Sequence, residues 1–310
     1  MNKENARIIF MGTPEISSKV LEDLILAGYQ IVALIAQPDR IVGKNKEATK
    51  VPTKVVAEKY NIPVFQPVKI RKEYDFVKEL NPDVIITLAY GQIVPQGLLD
   101  IPRLGCINIH GSILPKYRGA APIQRAIISG ETKTGVTLME MIDKMDAGKM
   151  FAFEECEIAL EDNYSQLCQK IVECGIKVLK NNLDNYIEGK LPGTEQNENE
   201  VTFADKISAE DEKLDLSKSC KSFINWIRGL SDEPGGYILI NGLKLKIFRA
   251  HQISSIPNQE SGILHVQKRV SLSLSDGDIE LDEVQLEGKK RMDGKSFANG
   301  SKQLDGIKAE

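Results

Sequence analysis

RIIFMGTPEISSKVLEDLILAGYQIVALIAQ, residues 7–37, is the stretch from which the architecture unfolds. RIIFM (7–11) is a short apolar run that ends in GTPE. ISSKVLEDLILAG (16–28) places its apolar residues at helical spacing and closes on a glycine. QIVALIAQ (30–37) is a second apolar run of strand length. Strands without polar alternation, joined through a helix, are covered on both faces, as in a parallel sheet.

The same alternation continues outward. VPTKVVAEKYN (51–61) and EYDFVKEL (73–80) read as helices, with a polar, basic segment from Pro38 to Lys50 before them. DVIITLAY (83–90) and CINIHG (106–111) read as further strands, and APIQRAIISG (121–130) holds a helix. GVTLMEMI (135–142) and KMFAFEECEI (149–158) alternate like strands, and a long helix lies within 163–189. The expectation is an α/β, doubly wound, mostly parallel domain. In such sheets ligands bind beyond the carboxyl ends of the strands. FMGTPE is a strand-to-helix turn, but it lacks the G-x-G-x-x-G spacing and so does not indicate a dinucleotide.

GKLPGTEQNENE (189–200) has the proline, glycine and charge of a linker. After it the texture changes. One helix in SCKSFINWIRGL (219–230) precedes the short strand-like runs GYILING, LKLKIFRA, GILHV, VSLSLSD and GDIELDEVQ. Their spacing and glycine-rich turns predict a small barrel or sandwich. The chain therefore divides into a domain over 1–188, a linker over 189–205 and a second domain over 206–310.

Composition bounds the function. At 42% hydrophobic and 27% charged residues the chain can build a real core. Five scattered cysteines without a Cys-x-x-Cys pair, and only three histidines, argue against a zinc site and for a reducing compartment. MNKENARIIFMGTPE carries only a brief apolar run before charge and proline return, so neither a secretion signal nor a membrane span is expected there. A cytoplasmic protein is the default. The net charge of −4 does not advertise a nucleic-acid binder. Yet residues 39–54 hold five basic against two acidic residues, and 289–295 hold four against one. Each patch alone reads as a solvated face; together they leave local phosphate contact open.

CINIHGSILPKYRGAAPIQRAI (106–127) asks for chemistry that a core strand does not need. Residues two apart on a strand point to the same side, so Asn108 and His110 project together at the strand's end. An amide and an imidazole side by side form a two-donor site that can hold a carbonyl oxygen becoming negative during acyl transfer. The plainer reading is a satisfied polar pair that caps the next loop. SILPKYRG (112–119) follows directly, and its serine and backbone groups could grip a planar, heteroatom-rich ligand. MIDKMDAGKM (141–150) carries Asp143 and Asp146, either of which could orient His110.

INIHGSILPKYRGAAPIQRAI and GVTLMEMIDKMDAGKM resemble the 10-formyltetrahydrofolate-dependent formyltransferases. The order Asn-x-His, Ser-x-Leu-Pro-x-x-Arg-Gly, then Asp-x-Gly carries the likeness. Within that family, FMGTPE, QPDR, GAAPIQRAI and LEGKKRMDGKSFANG resemble the branch that acts on methionyl-tRNA. The likeness runs from about residue 7 to about residue 300 and is patchier in the second domain. It implies a Rossmann-like formyltransferase domain followed by an OB-like β-barrel that adds contacts to tRNA. It implies 10-formyltetrahydrofolate as formyl donor, no metal, initiator methionyl-tRNA as partner, and a monomer that suffices for the reaction. Asn108 and His110 would hold the formyl oxygen. Asp146, by match to the Asp-x-Gly motif, would pair with His110. Ser112, Ile113, Leu114 and Pro115 would contact the folate, with Leu88, Tyr90 and Met141 near the pterin. Arg40, Lys44 and Lys46, with Lys50, would approach the acceptor end of the tRNA, and Lys244, Lys246, Lys289, Lys290 and Arg291 would meet further phosphates. Two departures stand out. Lys44 replaces the arginine frequent in relatives, and Ser231, Asp232, Glu233 and Pro234 replace an Asn-Pro-Trp-Pro segment.

Overall fold

The computed structural model describes residues 5–42, 47–257 and 260–310. In chain order the first elements are β1 (Ile8–Gly12), α1 (Glu15–Leu26), β2 (Ile31–Ile35), β3 (Arg40–Val42), β4 (Glu47–Thr49), α2 (Pro52–Lys59), β5 (Val64–Phe65) and α3 (Asp75–Leu80). Then come β6 (Val84–Leu88), α4 (Gln96–Leu99), β7 (Cys106–His110), α5 (Pro122–Ile128), β8 (Lys133–Glu140), β9 (Met150–Glu157) and α6 (Tyr164–Ile187). The last are α7 (Cys220–Leu230), β10 (Gly236–Ile240), β11 (Leu243–Ser254), β12 (Leu264–Val266), β13 (Val270–Leu274), β14 (Gly277–Leu286), β15 (Met292–Asp293) and α8 (Gly294–Gly300). Two compact units result. One comprises Met1–Gly119, Lys133–Glu157 and Cys168–Phe203; the other comprises Ala120–Thr132, Ile158–Leu167 and Ala204–Glu310.

The first unit is built on a seven-stranded sheet in the order β5-β2-β1-β6-β7-β8-β9. β5 through β7 pair in parallel, while β8 and β9 pair antiparallel at the edge. Every residue of β1 and of β6 is buried, which is why both strands read as unbroken apolar runs. The chain winds outward from β1 to β2 and β5, then returns to β6 and winds the other way. The switch point lies between β1 and β6, whose ends Gly12 and Leu88 are register partners. A Cβ on Gly12 would stand 2.8 Å from the Leu88 carbonyl oxygen, so only glycine lets the two strand ends come this close. Around the turn, Ser17 Oγ donates to Leu88 O at 2.6 Å and Thr13 Oγ1 donates to Tyr90 O at 3.0 Å. α1 covers the sheet with Val20, Leu21 and Leu24, the positions its periodicity marks. The hairpin of β3 and β4 occupies part of the segment expected to be merely polar, and the short α4 and α8 had no periodic signal long enough to find.

The second unit is OB-like. Its antiparallel sheet runs β10-β11-β14-β13-β12, with β15 on β14. β11 and β14 are long, and their pairing shifts register at Ile247/Arg249, Arg249/Ala250 and Gln252/Ser254. Such bulges bend and twist the long strands, which curls the sheet around its core. Phe223 and Ile227 of α7 pack into that core against Leu245, Leu272 and Leu281. Ser219 caps α7 by accepting from Ser222 N at 3.3 Å.

Arg228 on α7 is half-buried and donates to Ala159 O at 3.0 Å, Asp162 O at 2.9 Å and Asn225 Oδ1 at 2.8 Å. Arg228→Met keeps the apolar stem and leaves these acceptors without their donor. We expect a loss of about 2–3 kcal/mol, read as a lower urea midpoint at unchanged slope.

The unusual Ser231–Pro234 segment is well satisfied. Ser231 is fully buried, its hydroxyl between Ile227 O and Phe248 O at 2.8 and 2.7 Å. Asp232 accepts from Ser165 Oγ at 3.1 Å and pairs with Arg291 at 2.9 Å. Arg291 also pairs with Glu283 at 2.7 Å and lies 4.0 Å above the Phe248 ring. The acid at 232 thus has a built partner. Arg291, expected to meet phosphate, is engaged by two carboxylates, while Lys289 and Lys290 are exposed.

Candidate active site

Asn108 and His110 stand at the carboxyl end of β7, as the strand period requires. Asn108 is half-buried, and its side-chain amide makes no hydrogen bond among the described residues. His110 is 5% exposed. Its Nε2 donates to the Tyr117 carbonyl oxygen at 2.8 Å, and its Nδ1 faces Asp146 Oδ2 at 3.6 Å. The two residues differ as donors: the Asn108 amide is open, whereas both His110 nitrogens already face protein acceptors.

Of the two aspartates, the structure brings Asp146 to His110 and leaves Asp143 exposed. Asp146 has a φ of 49° and accepts from the Gly119 amide at 2.9 Å through Oδ2. The glycine of Asp-x-Gly has a steric cause. A Cβ on Gly148 would lie 2.1 Å from Glu140 O, so any larger residue would force the loop off β8.

The 112–115 loop is closed upon itself. Ser112 is fully buried and donates through Oγ to Lys116 O at 2.6 Å. Thr137 Oγ1 donates to Ser112 O at 2.7 Å and accepts from Leu114 N at 3.0 Å. The serine hydroxyl expected to grip a ligand is therefore engaged inside the loop, because a buried hydroxyl takes the nearest acceptor. Leu114 and Pro115 are buried, and Ile113 is half-buried.

Thr87 of β6 is the register partner of Asn108 and shares its side of the sheet. The side-chain hydroxyls of Thr87 and Tyr90 are buried without a hydrogen-bond partner among the described residues. Burial holds the Tyr90 phenol well above its ordinary range. Tyr90, with the half-buried Met141, belongs to the apolar cluster under this end of the sheet, and Leu88 is buried at the switch point.

Two side chains that the motifs alone do not assign complete the site. Arg118, 1% exposed, donates from Nε to Gln196 Oε1 at 2.9 Å and pairs with Glu198 at 2.8 Å. Gln196 Nε2 donates to Asp146 O and Gly148 O, each at 2.8 Å. The Arg of Ser-x-Leu-Pro-x-x-Arg-Gly was a signal for the first, but Gln196 sits in a polar run with no signal at all.

A family model described as formyl transferase matches residues 6–183, and one described as formyl transferase, C-terminal domain, matches 206–302. A methionyl-tRNA formyltransferase of Lactobacillus acidophilus is 42% identical over 297 residues, covering 94% of this chain and 95% of that protein. One of Bacillus cereus is 42% identical over 307 residues, covering 97% and 98%. The chain belongs to the methionyl-tRNA formyltransferases. Solved structures of more distant proteins share the fold. HypX from Aquifex aeolicus, solved with tetrahydrofolic acid, superposes with a TM-score of 0.68 at 17% identity, over 94% of this chain and 46% of that one. An N-formyltransferase from Helicobacter canadensis, solved with folinic acid and dTDP-3-aminofucose, gives 0.67 at 19%, over 91% and 99%.

The basic residues expected at the tRNA of this formyltransferase fare unequally. Arg40 is exposed on β3. Lys44 and Lys46 lie outside the described residues. Lys50 pairs with Glu58 at 2.7 Å, and Lys54 pairs with Asp39 at 2.5 Å. Among the described residues no cluster of His, Cys, Asp and Glu is arranged to hold a metal, and no helix is long and apolar enough to cross a membrane.

Proposed function

We propose that the chain transfers the formyl group of 10-formyltetrahydrofolate to the free α-amino group of methionyl initiator tRNA, supplying formylmethionyl-tRNA for translation initiation. The observation that carries this reading is the open Asn108 amide beside the His110–Asp146 pair, at the ligand-binding end of the sheet, in a chain 42% identical to named methionyl-tRNA formyltransferases.

In the reaction the methionyl amine attacks the formyl carbon, the C–N10 bond breaks, and the formyl oxygen carries negative charge between the two events. The Asn108 N–H donates to that oxygen. His110 stands beside it, held by its Nε2–H bond to Tyr117 O with Nδ1 turned toward the Asp146 carboxylate. Asp146 receives the proton the amine loses, and N10 of the folate takes one up as it leaves. The 112–115 loop and the groups near Thr87, Tyr90 and Met141 form the folate side. The catalytic work falls to residues 1–188 and tRNA holding to 206–310, with 189–205 between them, in a cytoplasmic monomer.

Arg40, with Lys44 and Lys46, holds the acceptor arm by its phosphates, which sets affinity more than sequence choice. Arg40→Ala is expected to raise KM for charged tRNA severalfold while kcat stays within about twofold, and to flatten the salt dependence of binding. A change in kcat alone would remove Arg40 from the tRNA surface. The acceptor is tested with methionyl initiator tRNA, uncharged tRNA and glycinamide ribonucleotide in parallel. Formylation of the charged tRNA alone is the expected result; formylation of glycinamide ribonucleotide would overturn the acceptor.

A further inference from the structure

Residues 194–203 behave as a strap rather than a spacer. At one end Thr194 and Met150 exchange backbone hydrogen bonds of 2.8 Å in both directions. At the other, Thr202 accepts from Tyr117 N through Oγ1 at 2.8 Å and from Arg118 N through its carbonyl at 2.9 Å. The strap therefore grips both loops of the site: the one after β7, which carries Tyr117 and Gly119, and the one before β9, which carries Asp146.

The grip is tightest at Gln196. This side chain is 8% exposed, and its amide uses its nitrogen on Asp146 O and Gly148 O and its oxygen on the Arg118 guanidinium. The Arg118–Glu198 pair continues to Lys144 of the Asp146 loop at 3.1 Å. Arg118, and then Lys144, hold the Glu198 carboxyl below its usual range by hydrogen bonding to it. Asp146 itself sits in the left-handed region, which disfavours a residue with a side chain unless its surroundings hold it there. The two bonds from Gln196 supply that hold within two residues of the carboxylate.

We propose that Gln196 is a positioning residue for formyl transfer: it fixes the Asp146 loop against the Tyr117–Gly119 loop, so that the His110–Asp146 pair is set before substrates bind. The proposal rests on the catalytic roles of Asn108, His110 and Asp146 in the proposed function. A fixed pair matters because small misplacement of a reacting group costs rate out of proportion to the distance.

Two substitutions in the full chain separate the possible roles. Gln196→Met keeps length and loses every polar contact. Gln196→Glu keeps an acceptor for Arg118 but sets carboxylate oxygen against the carbonyls of residues 146 and 148. Both variants are expected to melt cooperatively and to lose roughly tenfold to a hundredfold in kcat, with KM for each substrate within about threefold of the parent. The ¹⁵N resonances of the His110 ring, assigned by their loss in His110→Gln, should move in both variants. Wild-type kcat in Gln196→Glu would overturn the proposal, since Gln196 would then serve only Arg118. So would a loss confined to KM, or unaltered His110 resonances. A parent chain that makes no formylmethionyl-tRNA would count against the functional reading instead, and the His110 resonances would still decide the positioning claim.

Discussion

Alanine at Asn108 is expected to lower formyl transfer about a hundredfold or more, because it deletes the open amide donor that the proposed reaction assigns to the developing oxyanion. His110 cannot take its place: Nε2 is bonded to Tyr117 O and Nδ1 faces Asp146. Asn108 is half-buried and its side chain makes no hydrogen bond among the described residues, so removing the amide strands no partner and the fold should survive. Single-turnover rates at saturating folate and charged tRNA measure the loss without interference from product release. A melting temperature within a few degrees of the parent, with turnover down, assigns the loss to chemistry. Turnover within about threefold of the parent would show that the oxyanion is held elsewhere.

Asp146→Asn should fall by a comparable factor, on the order of a hundredfold or more, for a different reason. The amide is isosteric and can still accept from Gly119 N, now 2.9 Å from Oδ2. What it loses is the charge facing His110 and the ability to receive a proton. The expected outcome is a fall in kcat with little change in either KM. Asp143→Asn is the matched control, since Asp143 is exposed; a loss there as large as at Asp146 would contradict the assignment of Asp146 as the partner of His110.

The fold was largely legible because the signals that make it are local. The apolar runs of β1, β2, β6 and β7 and the helical period of α1 follow from burial along one segment. The direction of β8 and β9 was not, since alternation is the same in parallel and antiparallel strands. The hairpin of β3 and β4 was missed because three-residue strands carry too few positions to show a period.

At the site, the strand period placed Asn108 with His110, but physics alone left Asp143 and Asp146 equal. What separates them is a left-handed backbone at Asp146 and a glycine pressed against Glu140 O, both set by partners in β8 and the strap. The bond from the Ser112 hydroxyl to Lys116 O could not be read in advance, because that acceptor comes within reach only once the loop closes. Gln196 escaped notice because its contacts are 48 and 50 residues away toward Gly148 and Asp146, and 78 toward Arg118. A polar side chain in a polar run gives no sign that it is buried.

The most direct measurement of the central claim is the product balance of one reaction. The chain is mixed with 10-formyltetrahydrofolate and methionyl initiator tRNA, and tetrahydrofolate and formyl-methionine are counted together. One formyl-methionine for each tetrahydrofolate is the predicted result. Tetrahydrofolate released with formate, and no formyl-methionine formed, would contradict it, because water rather than the methionyl amine would then be the acceptor.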